Sequence, residues 1–504
     1  MVIRRLRNST TSWRFDPNGG RAKLVSSFVS RWKLSILLAS FFLLWSLFLF
    51  SRCNPTTMTP QLPHRASPRL LVKPKSSLSS PSSSVGTIKK PIVAPRKCHV
   101  TSSNVYVYDL PPKFNYDILK DCHHLNMFSD ICPHVVNFGL GQPMSVDPLN
   151  ASTSSWFTTY QFMNEVIFHA RLLDHPCLTT DPAHADLFYV PFYGGFHASS
   201  NFHEPNHNAR DLLAVELMEY LQGQPMWAEN DGKDHFLVLG RTAWDFMRNT
   251  NQGPDFGANS LLNMPAVQNM SVLLVERQPW TGTNQYGIPY PSYFHPSMPG
   301  EMWMWLKHVS EQERPYLFSF VGGPRNGVGG KGTVRNEIIR QCKDSDRCEF
   351  FVCNGTTNWC HDPNDVMKVM MNSQFCLQTP GDSFTRRSTF DSILAGCIPV
   401  FFSPHTAYTQ YQWFLPEEPS DYSVYLEADD TVNATKILGI DIEKELMKVP
   451  REKIAAMRQR VIDLIPTISY ANPNSTNYGF RDVVDVTIGA LSLQIKSLVL
   501  SSSS

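Results

Sequence analysis

The sequence predicts an α/β protein of two facing units of parallel sheet and helix, carried behind an N-terminal transmembrane helix and stem. Three observations predict it: a division of charge near residue 104, an uncharged apolar run at Leu34–Phe50, and two successive sets of short strands separated by helical stretches. The 504 residues are almost neutral, with 45 Lys+Arg against 44 Asp+Glu, which argues against a nucleic-acid binder and its basic excess. That neutrality is a sum of opposites. Residues 1–103 hold 17 of the bases and a single acid, Asp16, for a net of +16, and the remaining 401 residues carry −15. A body of that size exceeds one hydrophobic core, so two domains are expected.

Leu34–Phe50 is seventeen residues without a charge, the low end of what spans a bilayer as a helix, and Ser51 extends it. A signal peptide has a shorter apolar region that ends at a small-residue cleavage site, whereas Arg52-Cys53-Asn54-Pro55 follows here. An uncleaved anchor is therefore expected. Five Lys/Arg lie in the twenty residues before the span and three in the twenty after, which keeps the N-terminus cytosolic. Five sequons, at Asn150, Asn269, Asn354, Asn433 and Asn474, add to that orientation, since only a lumenal body meets the glycosylation machinery. The expected order is a cytoplasmic basic tail (1–33), a transmembrane signal-anchor (34–51) and a stem (52–103). Residues 51–103 contain 11 Ser, 8 Pro and no acid, too little apolar surface to fold. Ten of the eleven cysteines fall from Cys98 onward, an even number that favours disulfides in an oxidising compartment. Cys122/Cys132 and the cluster Cys342, Cys348, Cys353 and Cys360 are local candidates.

The lumenal body divides near Glu313-Arg314-Pro315. Before it, strands are predicted at Val105–Tyr108, Asp186–Val190, His235–Leu239 and Ser271–Val275. A helix is expected over Asn208–Leu221, with Leu212, Leu213, Val215, Leu217 and Leu221 on its apolar face. After the helical Glu301–Glu313, strands are predicted at Tyr316–Val321, Cys348–Val352, Gln374–Leu377 and Cys397–Phe402. Strands alternating with helices imply parallel pairing. The expected domains are an N-terminal α/β unit (104–314), a C-terminal α/β unit (315–440) and C-terminal helices (441–504). Two such units place a cleft at the carboxyl ends of both strand sets.

Phe375–Phe402 carries the chemistry. It reads as a strand, a Pro-Gly turn, a helix and another strand, with Asp382 or Ser383 as helix cap and Gly396 as the left-handed residue after the helix. Arg386 and Arg387 are expected in the first helical turn, where cations oppose the helix dipole by about 0.3–1 kcal/mol each. A phosphate would reverse that sign by drawing both guanidiniums and free N–H groups onto itself. Asp391 is placed to accept from sugar hydroxyls of the same ligand. On spacing alone, an Arg387–Asp391 ion pair with a solvated Arg386 explains the pattern equally well.

The segment PGDSFTRRSTFDSILAGCIPVFF (380–402) resembles the donor-site signature of exostosin-type glycosyltransferases, and the wider pattern is similar to the plant xyloglucan galactosyltransferases among them. Supporting stretches are VYVYDLPPKFNYDIL (105–119), ADLFYVPFYGG (185–195), DHFLVLGRTAWDF (234–246), GIPYPSYFHP (287–296), LFSFVGGPR (317–325) and AYTQYQWFLP (407–416). Gly195–Ser200 departs from the family's wording on the acceptor side. The resemblance implies a GT-B fold, a UDP-sugar donor with UDP-galactose first, inversion at the anomeric carbon and no obligatory metal. It implies a xyloglucan polysaccharide acceptor, a Golgi membrane setting with the body lumenal, and complexes with itself or other wall glycosyltransferases as further partners. Galacturonic acid or arabinose donors, and a non-catalytic scaffold of the same fold, are the alternatives. Carried over by position, Gly381, Asp382, Ser383, Arg386 and Arg387 hold the diphosphate, Asp391 binds ribose or donor sugar, and Arg325 is a second phosphate ligand. Inversion needs a base to take the acceptor proton. Asp245, after a strand end, is the first choice, with His197, His203 and Glu276 as rivals.

Other signals read as structure. Asp344-Ser-Asp346 lacks the preceding strand that a metal-binding acidic pair would need and reads as a turn. Gly327–Thr333 lacks the Lys-Ser/Thr of a phosphate loop and reads as an open loop. Cys122, His123, His124, Cys132 and His134 have a zinc-like composition, but lumenal cysteines pair with one another. Aromatics such as Trp303, Trp305 and Tyr408–Phe414 are sugar-stacking candidates against a larger expectation of core.

Overall fold

Among the described residues, eleven short strands, every one paired in parallel, form two sheets. The structure is a computed structural model. It describes residues 98, 103–126, 129–146, 155–249, 257–324, 334–353, 362–427 and 440–502, with side chains to 496. The chain divides into two units, Met1–Ile88 and Lys89–Ser504, and every described residue lies in the second. The expected span at 34–51 and stem at 52–103 fall outside the described residues, apart from Cys98 and Ser103. Among the described residues no helix is long and apolar enough to cross a membrane.

The first sheet contains β1 (Val105–Val107), β2 (Leu178–Thr179), β3 (Leu187–Val190), β4 (His235–Thr242), β5 (Ser271–Glu276) and β6 (Gln285–Gly287), in the order β2-β1-β3-β4-β5-β6. Along β4, Phe236 and Val238 enter one apolar cluster, while Leu237 and Leu239 enter another on the opposite face. Both faces are therefore buried, as parallel sheets require. The second sheet contains β7 (Tyr316–Gly322), β8 (Cys348–Val352), β9 (Ser373–Gln378), β10 (Ile398–Phe401) and β11 (Val424–Tyr425), in the order β11-β10-β9-β7-β8. All eight predicted strands are present. β2, β6 and β11 were not predicted, because two or three residues at or near a sheet edge are too few to show a period.

The helix His207–Gln222 forms where expected but is turned from the predicted face. Arg210, Ala214, Leu217, Met218 and Leu221 are buried, whereas Leu212 is 55% and Val215 39% exposed. The helix Asn164–Leu173 was missed. It is buried on almost every side, Asn164, Glu165, His169 and Arg171 included, and its charges are matched only through tertiary contacts. Arg171, for instance, pairs with Asp482 at 2.9 Å with both side chains buried. That pair also brings the C-terminal segment onto the first half: Tyr470 donates to the Pro289 carbonyl at 2.8 Å. The helix Arg451–Ile468 packs instead against β10 and the helix Ser388–Leu394, so the C-terminal region straddles both halves.

Four disulfides are described: Cys98–Cys177, Cys122–Cys132, Cys342–Cys348 and Cys376–Cys397. The second and third are local pairs that the sequence favours. The fourth joins neighbouring strands of the second sheet. With Cys122 and Cys132 bonded to each other, their grouping with His123 has no thiolate to offer a metal. Asp346 lies in a turn between a helix and β8, and Asp344 pairs with Arg340 at 2.7 Å.

Candidate functional site

A cleft of about 1210 Å³ opens at the carboxyl ends of both sheets, larger than the ~300–1,000 Å³ that a single small ligand fills. One wall comes from the second half. β9 ends at Gln378, and Pro380, Gly381, Asp382, Ser383, Phe384 and Arg386 line the space beyond it. The other wall comes from the first half. It includes Tyr160–Phe162, Ser199, Phe202 and His203, with Arg241, Thr242, Trp244 and Asp245 at the end of β4 and Trp280 after β5.

The helix after the donor loop starts later than the sequence suggests. It runs Ser388–Leu394 with Arg387 in the capping position and no side-chain cap, so Asp382 and Ser383 are not its caps. Instead the loop closes on itself through Gly381 N–H to Ser383 O at 2.9 Å. Arg386 and Arg387 therefore precede the helix, and they diverge. Arg386 faces the cleft: its Nη1 donates to Thr385 O at 2.6 Å and Ser383 Oγ at 3.2 Å, while its Nη2 is buried without a partner. The guanidinium lies against Gly381, where a Cβ would sit 1.5 Å from Nη2, so a side chain at 381 would push the arginine out of this position. Gly396 takes the left-handed conformation at φ +64°, as expected.

Arg387 turns toward the first half. It is stacked 4.3 Å over Tyr293, donates to Thr159 O at 3.3 Å and to the Tyr293 hydroxyl, and pairs with Asp391 at 3.3 Å. Asp391 also accepts from Ser292 Oγ at 2.6 Å. It is buried, and burial pushes its carboxyl upward. Neither residue is among those lining the cleft. The ion-pair alternative thus holds for Arg387, while Arg386 is half-buried in the cleft wall. Arg325 lies outside the described residues.

The base candidates separate in the same way. Asp245 lines the cleft, and its Oδ2 accepts from Arg241 Nε at 2.7 Å. His203 also lines it. His197 is not among the lining residues; burial pushes its imidazole down to about 4, and its Nδ1 has no partner. Glu276 is wholly buried and does not line the cleft either. Its Oε1 accepts from Trp244 Nε1 at 2.8 Å, and its Oε2 accepts from both the N–H and the hydroxyl of Thr385 at 2.7 Å. It acts as a clamp between the halves, with no lone oxygen turned to a substrate.

Sequence reasoning missed Glu165. Its Oε1 accepts from Gly195 N at 2.6 Å and Gly240 N at 3.0 Å, tying the end of β4 to the turn Gly194-Gly195, and burial pushes its carboxyl up to about 8. It missed Trp244, Trp280 and Tyr290 as cleft residues because no local periodicity marks which aromatic side chain borders a cleft. Trp305, Tyr411 and Phe414, among the stacking candidates, are buried in the core.

A model of the exostosin GT47 domain matches residues 100–440. Three proteins of Arabidopsis thaliana are similar along most of this chain. One named a probable xyloglucan galactosyltransferase is 53% identical over 82% of this chain and 88% of its own. A xyloglucan galactosyltransferase is 42% identical over 77% and 61%. A xyloglucan-specific galacturonosyltransferase is 37% identical over 78% and 57%. Among solved structures, a UDP-glucosyltransferase from Polygonum tinctorium aligns at 11% identity and a TM-score of 0.29 over 70% of this chain and 84% of its own. The pneumococcal O-GlcNAc transferase solved with UDP and GlcNAc aligns at 9% and 0.25 over 56% and 60%. TM-scores this low carry no argument about the fold.

Proposed function

From the premise that the chain belongs to the exostosin GT47 glycosyltransferase family, we propose that it transfers galactose from UDP-galactose to xylosyl side chains of xyloglucan, with inversion. The observation that carries the site assignment is Arg386, a cation in the cleft with one buried N–H group unsatisfied against a glycine that clears its path. Such an N–H costs about 1–3 kcal/mol when left without a partner, and a diphosphate oxygen would take it. The loop from Gly381 to Arg386 then holds the departing UDP, where its negative charge grows as the anomeric C–O bond breaks. The acceptor hydroxyl forms the new bond to that carbon and gives its proton to Asp245 across the cleft.

Galacturonosyl transfer is the second reading, favoured by the galacturonosyltransferase among the relatives. A uronate donor brings an extra carboxylate that needs a cation. Among the described residues two arginines line the cleft, and Arg241 is bound to Asp245 while Arg386 is assigned to the diphosphate, so neither is left for that carboxylate. A Golgi setting with the body in the lumen belongs to the same proposal, and the four described disulfides support an oxidising compartment. The test is incubation of the protein with xylosylated glucan oligosaccharides and a panel of UDP-sugars. Transfer from UDP-galactose alone is expected. Transfer from UDP-galacturonic acid alone would replace the first reading with the second, and no transfer from any UDP-sugar would remove both.

A further inference from the structure

Trp280 stands 59% exposed on the cleft wall, and the turn beneath it is firmly tied. Gln278 is buried, and its Oε1 accepts from the backbone N–H of Trp280 at 2.7 Å, of Thr281, and of Gly282 at 3.3 Å. Arg277 Nη2 donates to Gly282 O at 3.0 Å. At Gly282 a Cβ would lie 2.5 Å from Gln285 Oε1, so the turn has no room for a side chain there. The indole itself is steadied by edge contacts with Phe384 at 5.8 Å and His405 at 5.4 Å, ring centroid to centroid.

A second indole faces the same space. Trp244 is anchored through its Nε1 to the buried Glu276, and its ring lies 6.1 Å from that of Trp280 with the planes inclined at 59°. An aromatic surface of this size held open to water gains most from a ligand with an apolar face of its own. A pyranose ring has one: a patch of C–H groups that meets the negative π face, rimmed by hydroxyls that meet polar groups. Asp245, Arg241 and His203 line the cleft with the two indoles and supply such groups. Both indoles come from the first half, at the ends of β4 and β5, as Asp245 does. The proposed diphosphate ligands come from the second half.

We infer that Trp280 and Trp244 form the acceptor platform, on which a pyranosyl ring of a neutral polysaccharide stacks beside Asp245 with its hydroxyl toward the donor. This rests on the glycosyl-transfer reading. The experiment compares wild type, Trp280→Ala and Trp280→Phe in the full-length protein, after matching their thermal unfolding. It measures KM for a xylosylated glucan oligosaccharide, Kd for that oligosaccharide by calorimetry, and Kd for UDP. Trp280→Ala should raise the oligosaccharide KM and Kd about tenfold, equivalent to about 1.4 kcal/mol, with UDP affinity within about twofold, and Trp280→Phe should recover most of the loss. Unchanged oligosaccharide affinity would overturn the platform. A parallel rise in the UDP Kd would overturn it too, by assigning the indole to the uracil base. Absence of transfer by the wild type would sink the proposed reaction alone, because the oligosaccharide Kd still decides the platform.

Discussion

Pro380–Arg386 and Arg387–Asp391 are consecutive stretches of one connection, and they serve opposite ends. The first lines the cleft and leaves a guanidinium N–H unmatched. The second is stitched to the first half through Tyr293, Thr159 and Ser292 and leaves no such group open. Two adjacent arginines thus divide, with Arg386 lining the cleft and Arg387 bonded into the fold. Side-chain chemistry is identical in the pair, so what separates them is the direction in which the backbone points each one. A dense web of bonds behind a loop is also what keeps its exposed side preorganised.

Breaking the comparison at Arg387 should have the largest effect. Arg387→Ala strips the partner from the buried Asp391 and should cost about 3–5 kcal/mol of stability, read as a fall in the denaturant midpoint. Arg386→Ala should do the reverse, with a loss of at least about 10²-fold in transfer rate, weaker UDP binding by calorimetry, and a nearly unchanged midpoint. Equal effects of the two on both readouts would erase the distinction. Glu276→Gln sharpens it at the seam. The amide keeps one acceptor oxygen for three donors, so about 1.5–3 kcal/mol should be lost, visible in chemical denaturation as lower stability with the m-value preserved.

A further expected effect is spread over a range of pH as a slope. His169, His197 and His295 are each pushed down to about 4 by burial, below the ordinary 6.5. The unfolded chain therefore takes up protons that the folded one refuses, and the stability they contribute is present above pH 6.5 and drains away as pH falls toward 4. Glu165 has the opposite sign. Its carboxyl, raised to about 8, keeps a proton that the unfolded chain releases, so its contribution declines as pH rises from about 4.5 to 8. Melting curves across this range should show both limbs, and Glu165→Gln should flatten the alkaline one.

Much of the architecture was legible in the residues. Eight strands announced themselves as apolar runs ended by Gly or Pro, and the turn-helix-strand around Gly396 was readable from its own spacing. The helix Asn164–Leu173 was not, since Asn164, Glu165, His169 and Arg171 find their buried partners only in the fold. The same limit applied to the site. Residue types pointed to Pro380–Arg386 and Asp245, which line the cleft, but Glu276 and Asp391 look like catalytic carboxylates in sequence and are spent on Thr385, Trp244, Ser292 and Arg387 in the fold.

The amino-acid sequence by itself determined the division into a basic N-terminal segment and an acidic body, the parallel α/β class, and the stretch from Phe375 to Phe402 as the place to look. Composition and local spacing carry those things, because they depend on neighbours along the chain. Only the tertiary structure decided which arginine meets the cleft, which carboxylates are clamps, and that two indoles stand open opposite the donor loop. Those outcomes depend on partners distant along the chain, such as Glu276 for Thr385, and no local pattern encodes which group will arrive.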